Sequence, residues 1–119
     1  MKNLFAFIFY LFFTSTSFTQ INIVHPPNWW IGFENTDLQL LVKNENISNY
    51  DVFIDYPGVT IKSIQKADSP NYIFINLDIS PNTKKGNFKI IFKNDNEGLS
   101  YMYNLKNKRE FQYQNEGFD

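Results

Sequence analysis

Apolar and polar residues alternate along most of the chain after residue 20, and this alternation predicts β-strands. In the clearest run, residues 73–79, every second residue is Ile or Leu. Because side chains in a strand point alternately to opposite faces, this run predicts one buried face. Turn residues such as Pro57-Gly58 separate it from other short β-rich runs. The predicted strands cover residues 21–24, 38–42, 52–56, 59–64, 73–79, 88–92 and 99–105.

This spacing predicts the fold class. Seven short strands within about 85 residues, separated by turn signals, are typical of an immunoglobulin-like β-sandwich. Helical periodicity is not sustained anywhere after residue 20, so we expect an all-β domain over residues 20–105. The Asn-rich stretch 44–49 is expected to be a loop, and residues 94–98 a hairpin turn. Residues 106–119 are polar without alternation and are predicted to be a linker.

The first nineteen residues have a different pattern. Ten apolar residues, 4–13, follow Lys2 and precede small polar residues at 14–17. This run is shorter than the roughly 20 residues that a membrane-spanning helix needs, but it suits the apolar region of a signal peptide. We therefore predict a signal peptide over residues 1–19, with Gln20 favoured over Phe18 as the mature start. The protein is expected to be periplasmic or extracellular, with no membrane span in the mature chain.

Length, charge and cysteine content exclude several classes of protein. The chain has 119 residues, a formal net charge of −1 and no cysteine. It is therefore one domain without disulfides or thiolate zinc sites, and too short for a catalytic (β/α)8 barrel of about 250 residues. Its lysines are spread along the sequence, so it lacks the basic patch of a nucleic-acid-binding protein, and we expect no nucleic-acid partner.

Trp29 and Trp30 are the candidate site residues. Neighbouring residues on an extended chain point to opposite faces, so we expect one indole to be buried and the other more exposed. The exposed ring could pack against another domain, or it could offer a flat surface on which a glucose ring stacks. Either use would bury a large aromatic area of some 150–250 Å². The sequence leaves the two alternatives open.

The other residues with suggestive chemistry have simpler explanations. His25 lacks the companions that a metal site requires, and residues 94–98 lack the spaced acidic ligands of a calcium loop. Tyr101 and Tyr103 share one face of a predicted strand, which favours a core role. We expect no metal, no cofactor and no catalytic residue. In particular, Asp51 and Asp55 lie about 13 Å apart along one strand, too far for a retaining glycosidase pair.

Several segments resemble one family of proteins, in order and over nearly the whole chain after residue 20. The resemblance is to the amino-terminal domain of the neopullulanase and cyclomaltodextrinase group of α-amylase-family glycosidases, particularly the exported Bacteroidetes type that acts in starch use. The segments that carry it are PPNWWIG at Pro26 to Gly32, LQL at Leu38 to Leu40, DYPGV at Asp55 to Val59 and NYIFINLDIS at Asn71 to Ser80.

The resemblance implies a non-catalytic immunoglobulin-like domain that precedes a catalytic barrel and shapes its cleft or a dimer interface. The family's catalytic carboxylates belong to the barrel, so no residue of this chain inherits their roles. The implied partners are an α-amylase-type barrel outside this chain, an α-glucan and a second copy. Two alternatives to this domain role are a stand-alone α-glucan-binding module and an adhesive domain that binds protein through a free strand edge.

Overall fold

A computed structural model describes residues 19–21 and 23–107, with side chains from Ile21 onwards. The predicted signal peptide, apart from Thr19, and residues 108–119 of the predicted linker lie outside this part of the chain. Within it are nine strands and one short 3₁₀ helix, Ile47–Asn49. The strands are β1 (Thr19–Gln20), β2 (Ile23–His25), β3 (Asn28–Ile31), β4 (Asp37–Lys43), β5 (Asp51–Ile54), β6 (Val59–Lys66), β7 (Tyr72–Ile79), β8 (Gly86–Lys93) and β9 (Gly98–Asn107).

One sheet, here called sheet B, has the strand order β2-β4-β7-β6, and all of its pairs are antiparallel. The alternation of apolar and polar residues determines which face of this sheet is buried. On β7 the aliphatic residues at 73, 75, 77 and 79 are buried, while the residues between them are only half-buried. Leu40 lies opposite Ile75, and both are fully buried. Burying such a side chain contributes about 1.5–3 kcal/mol to folding.

The second sheet, sheet A, contains β5, β8 and β9 in that order, and β9 also pairs with two short strands on its other side. Both β1 and β3 run parallel to β9: β1 pairs with its first residues and β3 with its last. Phe92 and Tyr103 are the largest fully buried side chains of this sheet. They face the aliphatic layer of sheet B and complete the core.

The strand order confirms the predicted sandwich. If β2 and β4 to β9 are lettered A to G, one sheet is A-B-E-D and the other is C-F-G. This is the arrangement of a constant-type immunoglobulin domain. The chain switches sheets after β2, at the cis peptide bond between His25 and Pro26, and then adds β3 to sheet A.

All seven predicted strands exist, with some changes at their ends. The third ends at Ile54, before Tyr56, and the last continues to Asn107. The strand β3 was not predicted. Ile47, in the stretch predicted to be a plain loop, begins the 3₁₀ helix and is fully buried. Among the described residues no helix is long and apolar enough to cross a membrane.

Candidate functional site

The tryptophan pair lies on β3, at the edge of sheet A. Trp29 is in register with Leu105 of β9, and Trp30 is in register with Lys106. Leu105 is buried in the core, whereas Lys106 is on the outer face of the sheet. Because partners in register share a face, Trp29 faces the core and Trp30 faces outward. The two rings therefore leave opposite faces of the strand, as predicted.

The expectation that one indole would be buried and the other more exposed is wrong in its first half, because Trp29 and Trp30 are both half-buried. β3 is an edge strand, so the inward ring of Trp29 reaches only the margin of the core, where it contacts Phe33 with the ring centroids 5.7 Å apart. The outward ring of Trp30 is partly covered by Lys106, whose Nζ lies 5.9 Å from the ring centroid, and its ring nitrogen is buried. The two indole centroids are 5.8 Å apart.

Two tyrosines of β9 hydrogen-bond to the backbone of Pro26 and Pro27, just before the tryptophans. The hydroxyl of Tyr103 donates a hydrogen bond to the carbonyl oxygen of Pro26 over 3.0 Å, and the hydroxyl of Tyr101 donates to that of Pro27 over 3.1 Å. Tyr103 is fully buried, which confirms its predicted core role, whereas Tyr101 is half-buried. Their anchoring of the two prolines could not be inferred from alternation alone, because the contact joins residues more than 70 positions apart.

Tyr103 should make stability fall at high pH. Burial, and to a smaller extent Tyr101, raises the pKa of the Tyr103 phenol. Because its folded-state pKa exceeds the unfolded value of about 10, this contribution is fully present below about pH 10 and is lost as the pH rises through the folded-state pKa. Tyr103→Phe should cost about 0.5–1.5 kcal/mol at neutral pH through the lost hydrogen bond, and should show a shallower alkaline loss. Urea unfolding across the pH range measures both, and equal alkaline loss in the two proteins would contradict this assignment.

The described part of the chain ends beside Trp29 and Trp30. Asn107, the last described residue, is in register with Ile31 at the end of β3. The connections 32–36, 55–58 and 80–85 lie at the same end of the sandwich, which we call the exit end. A groove of about 500 Å³ opens there, lined by Tyr56, Pro57, Gly58, Ser80, Asn82 and Lys84. We call Trp29, Trp30 and Phe33 the aromatic cluster.

The remaining candidates from the sequence are placed as follows. His25 is exposed at the end of β2. Residues 94–98 form the predicted hairpin turn, in which Asn94 Oδ1 accepts hydrogen bonds from the backbone N–H groups of Asn96 and Glu97. Glu97 in turn accepts a 2.6 Å hydrogen bond from the Tyr50 hydroxyl, which raises the pKa of Tyr50. Within residues 19–21 and 23–107, no three His, Cys, Asp or Glu side chains are grouped as metal ligands.

The fold and the aromatic cluster define the class: an immunoglobulin-like β-sandwich module with aromatic rings beside its chain exit. The family follows from the sequence comparison. Residues 23–109 match the model of the cyclomaltodextrinase N-terminal domain, which is well over half of the chain. The chain therefore belongs to this family, and it is a non-catalytic domain of an α-amylase-family glycosidase.

Proposed function

We propose that the chain acts as the N-terminal domain of an exported α-glucan-degrading enzyme of the neopullulanase and cyclomaltodextrinase group, of the Bacteroidetes type, and that it supports the catalytic domain and its cleft. The observation that carries the proposal is the aromatic cluster at the exit end. Export rests on the apolar run at residues 4–13, behind a single lysine.

The geometry of the exit end suits a contact with a neighbouring domain in the same polypeptide. Asn107, the last described residue, lies beside Ile31, one residue from Trp30. A domain joined there is held close to the aromatic cluster, which gives that domain a high effective concentration at this surface. A modest apolar contact is then enough for the two domains to dock. Interfaces between domains of one chain are typically 600–1,500 Å². The half-buried indoles and the groove beside Pro57 supply apolar surface for such a contact.

A stand-alone α-glucan-binding module is the second candidate, and the outward indole of Trp30 favours it. A sugar ring stacks on a flat aromatic surface, and Trp30 presents one on the outer side of sheet A. Lys106 lies over the ring at 5.9 Å from its centroid and so restricts access to that face. This geometry suits a domain contact better than a sugar platform. A homodimer that uses the same surface remains part of the proposal.

The chain alone is expected not to hydrolyse α-glucans. Retaining glycoside hydrolysis needs two carboxyl groups about 5–5.5 Å apart across the bond that is cleaved. Asp51 and Asp55 are separated along β5 and the residue that follows it, so these two do not form such a pair. The purified chain should release no reducing sugar from pullulan, maltodextrin or cyclodextrin above a blank. Release that persists through repeated purification would contradict a non-catalytic role.

A further inference from the structure

Sheet A ends at β5 on the side away from the tryptophans, and this edge of β5 is unpaired among the described residues. β5 pairs with β8, whereas β3, which carries the tryptophans, lies beyond β9 at the other edge of the sheet. In variable-type immunoglobulin domains the corresponding sheet continues here, with further strands beside the one that matches β5. The fold can therefore accommodate an added strand next to β5.

An inward-facing isoleucine of sheet B is left uncovered at the same place. Ile64 of β6 is in register with the fully buried Ile75, and partners in register share a face, so Ile64 faces the interior. It is nevertheless 38% exposed. A cleft of about 770 Å³ opens there, and its lining includes Val52, Phe53 and Ile64. The described part of sheet A is thus one strand too narrow to cover β6.

β5 lacks most of the features that protect a free strand edge. Natural edge strands are commonly kept from pairing by lysines, prolines or bulges. β6, an edge strand of sheet B, carries Lys62 and Lys66 and has a register irregularity after Ile61. β5 has the sequence Asp-Val-Phe-Ile, without lysine or proline, and an unbroken register with β8. Its length of four residues limits the affinity of an added strand but does not prevent pairing.

The outward side chains of β5 indicate the chemistry of an added strand. Asp51 and Phe53 are exposed, and β8 already places Lys93 opposite Asp51 and Ile91 opposite Phe53. The free edge presents the same two side chains of β5. It therefore suits a strand of the same pattern, in which a basic residue lies two positions from an apolar one, because opposite charges and apolar pairs stabilise neighbouring strands.

A second copy of this chain fits the free edge less well. In antiparallel pairing of β5 with itself, Phe53 opposite Phe53 would place Asp51 of each copy opposite Asp55 of the other. Like charges directly opposite each other destabilise a strand pair. Pairing centred on Val52 would place Asp51 opposite Phe53. Neither arrangement gives the Asp51 carboxylate a partner of opposite charge.

We infer that the free edge of β5 binds an extended segment of another polypeptide, with a basic and an apolar residue two positions apart on its outward face. The backbone of this segment pairs with β5, and its basic residue faces Asp51. Apolar side chains on its inward face lie in the cleft, over Val52 and Ile64. The site is at the opposite edge of sheet A from the aromatic cluster, so the inference goes beyond the proposed function and does not depend on it.

The test uses a synthetic peptide with the sequence of β8, residues 86–93, because the chain itself places that sequence beside β5. In an NMR titration of the chain, the backbone amide signals of residues 51–54 and of Ile64 should shift in a saturable way, with a dissociation constant of about 0.1–1 mM. A second peptide with glutamate in place of both lysines should bind at least about fivefold more weakly, because its acidic side chains would face Asp51.

A substitution in β5 tests the location of the site. Phe53→Ser should weaken binding of the β8 peptide about fivefold or more, because the apolar partner on the outward face is lost. Met102→Ser is the matched control. Met102 is similarly exposed, at 46% against 52% for Phe53, but it lies on β9, two strands from the free edge. This control should leave the affinity unchanged.

Four results would each overturn the inference: no saturable shift, shifts centred away from β5, equal affinity for the two peptides, or equal affinity in the two variants. Shifts of residues 51–54 that depend on the concentration of the chain alone would also overturn it, in favour of a second copy. The comparison of the two peptides uses the unaltered chain and remains decisive even if a variant fails to fold. None of these results bears on docking of a catalytic domain at the exit end.

Discussion

Replacing Trp29 with alanine is expected to lower the free energy of unfolding by about 3 kcal/mol, whereas Trp30→Ala should lower it by less than about 1 kcal/mol. Trp29 faces inward in register with Leu105 and packs against the core and Phe33. Its removal leaves a gap at the end of the sandwich. Trp30 faces outward, where its contacts include Lys106 and Trp29. Urea unfolding of both variants measures the difference.

The size of the Trp29→Ala effect tests the placement of Trp29 against the core. A domain of this size has only about 5–15 kcal/mol of stability, so the Trp29 effect should be a large shift in the unfolding midpoint. Trp29→Phe is the control, because a smaller aromatic ring keeps part of the packing and should recover part of the loss. If neither alanine variant is destabilised, the placement of Trp29 against the core is wrong.

Gly58→Ala should be as damaging, by about 2–4 kcal/mol. Gly58 forms the turn between β5 and β6 with φ at +94°, a conformation that side chains disfavour. A Cβ atom there would also overlap the hydroxyl and Cβ of Thr83, which is buried beneath the turn. The turn has little room to move, because the Ser80 N–H donates to the Gly58 carbonyl over 2.8 Å. Thermal or urea unfolding gives the size of the effect.

The contribution of the overlap can be isolated with a second substitution. Thr83→Ala removes the hydroxyl that an added Cβ would meet, so Gly58→Ala should cost less in a Thr83→Ala background. The remaining cost reflects the positive φ together with the contact to the Cβ atom that an alanine at position 83 keeps. If the two substitutions are additive, the overlap with the Thr83 hydroxyl is not a source of the destabilisation.

The sequence predicted those strands that are marked by an alternation of apolar and polar residues within the strand itself. On β7 the alternation at residues 73–79 sets which side chains are buried, and the structure confirms it at every position. Pro57-Gly58 was correctly predicted to be a turn, since positive φ at Gly58 is a property of that residue. The sandwich followed from the number and spacing of such strands.

The elements that were missed depend on partners far along the chain. β3 is four residues long and follows two prolines, and it is a strand because Asn104 to Asn107 of β9 lie beside it in parallel. Ile47 is a single apolar residue in an Asn-rich stretch, so no periodicity marked it for the core. Local alternation identifies neither the pairing of β3 with β9 nor the core position of Ile47.

The candidate site shows the same division between what is local and what is not. The sequence predicted that the indoles of Trp29 and Trp30 would face opposite ways, but not that the edge position of β3 would leave both half-buried. On the outer face of sheet B, likewise, Gln39 and Asn76 are ordinary polar residues of alternating strands. Only the register of β4 and β7 brings their amides within 2.9 Å.

The measurement that tests the central proposal most directly is binding of this chain to a catalytic domain. The coding sequence that follows residue 119 should encode an α-amylase-type barrel, which can be produced separately and titrated with the chain by calorimetry. Association is predicted, and Trp30→Ala should weaken it at least about tenfold, as truncation of an aromatic anchor does. Phe53→Ala, an exposed aromatic of sheet A away from the exit end, should not. No association, or equal weakening by both substitutions, would contradict docking at the aromatic cluster.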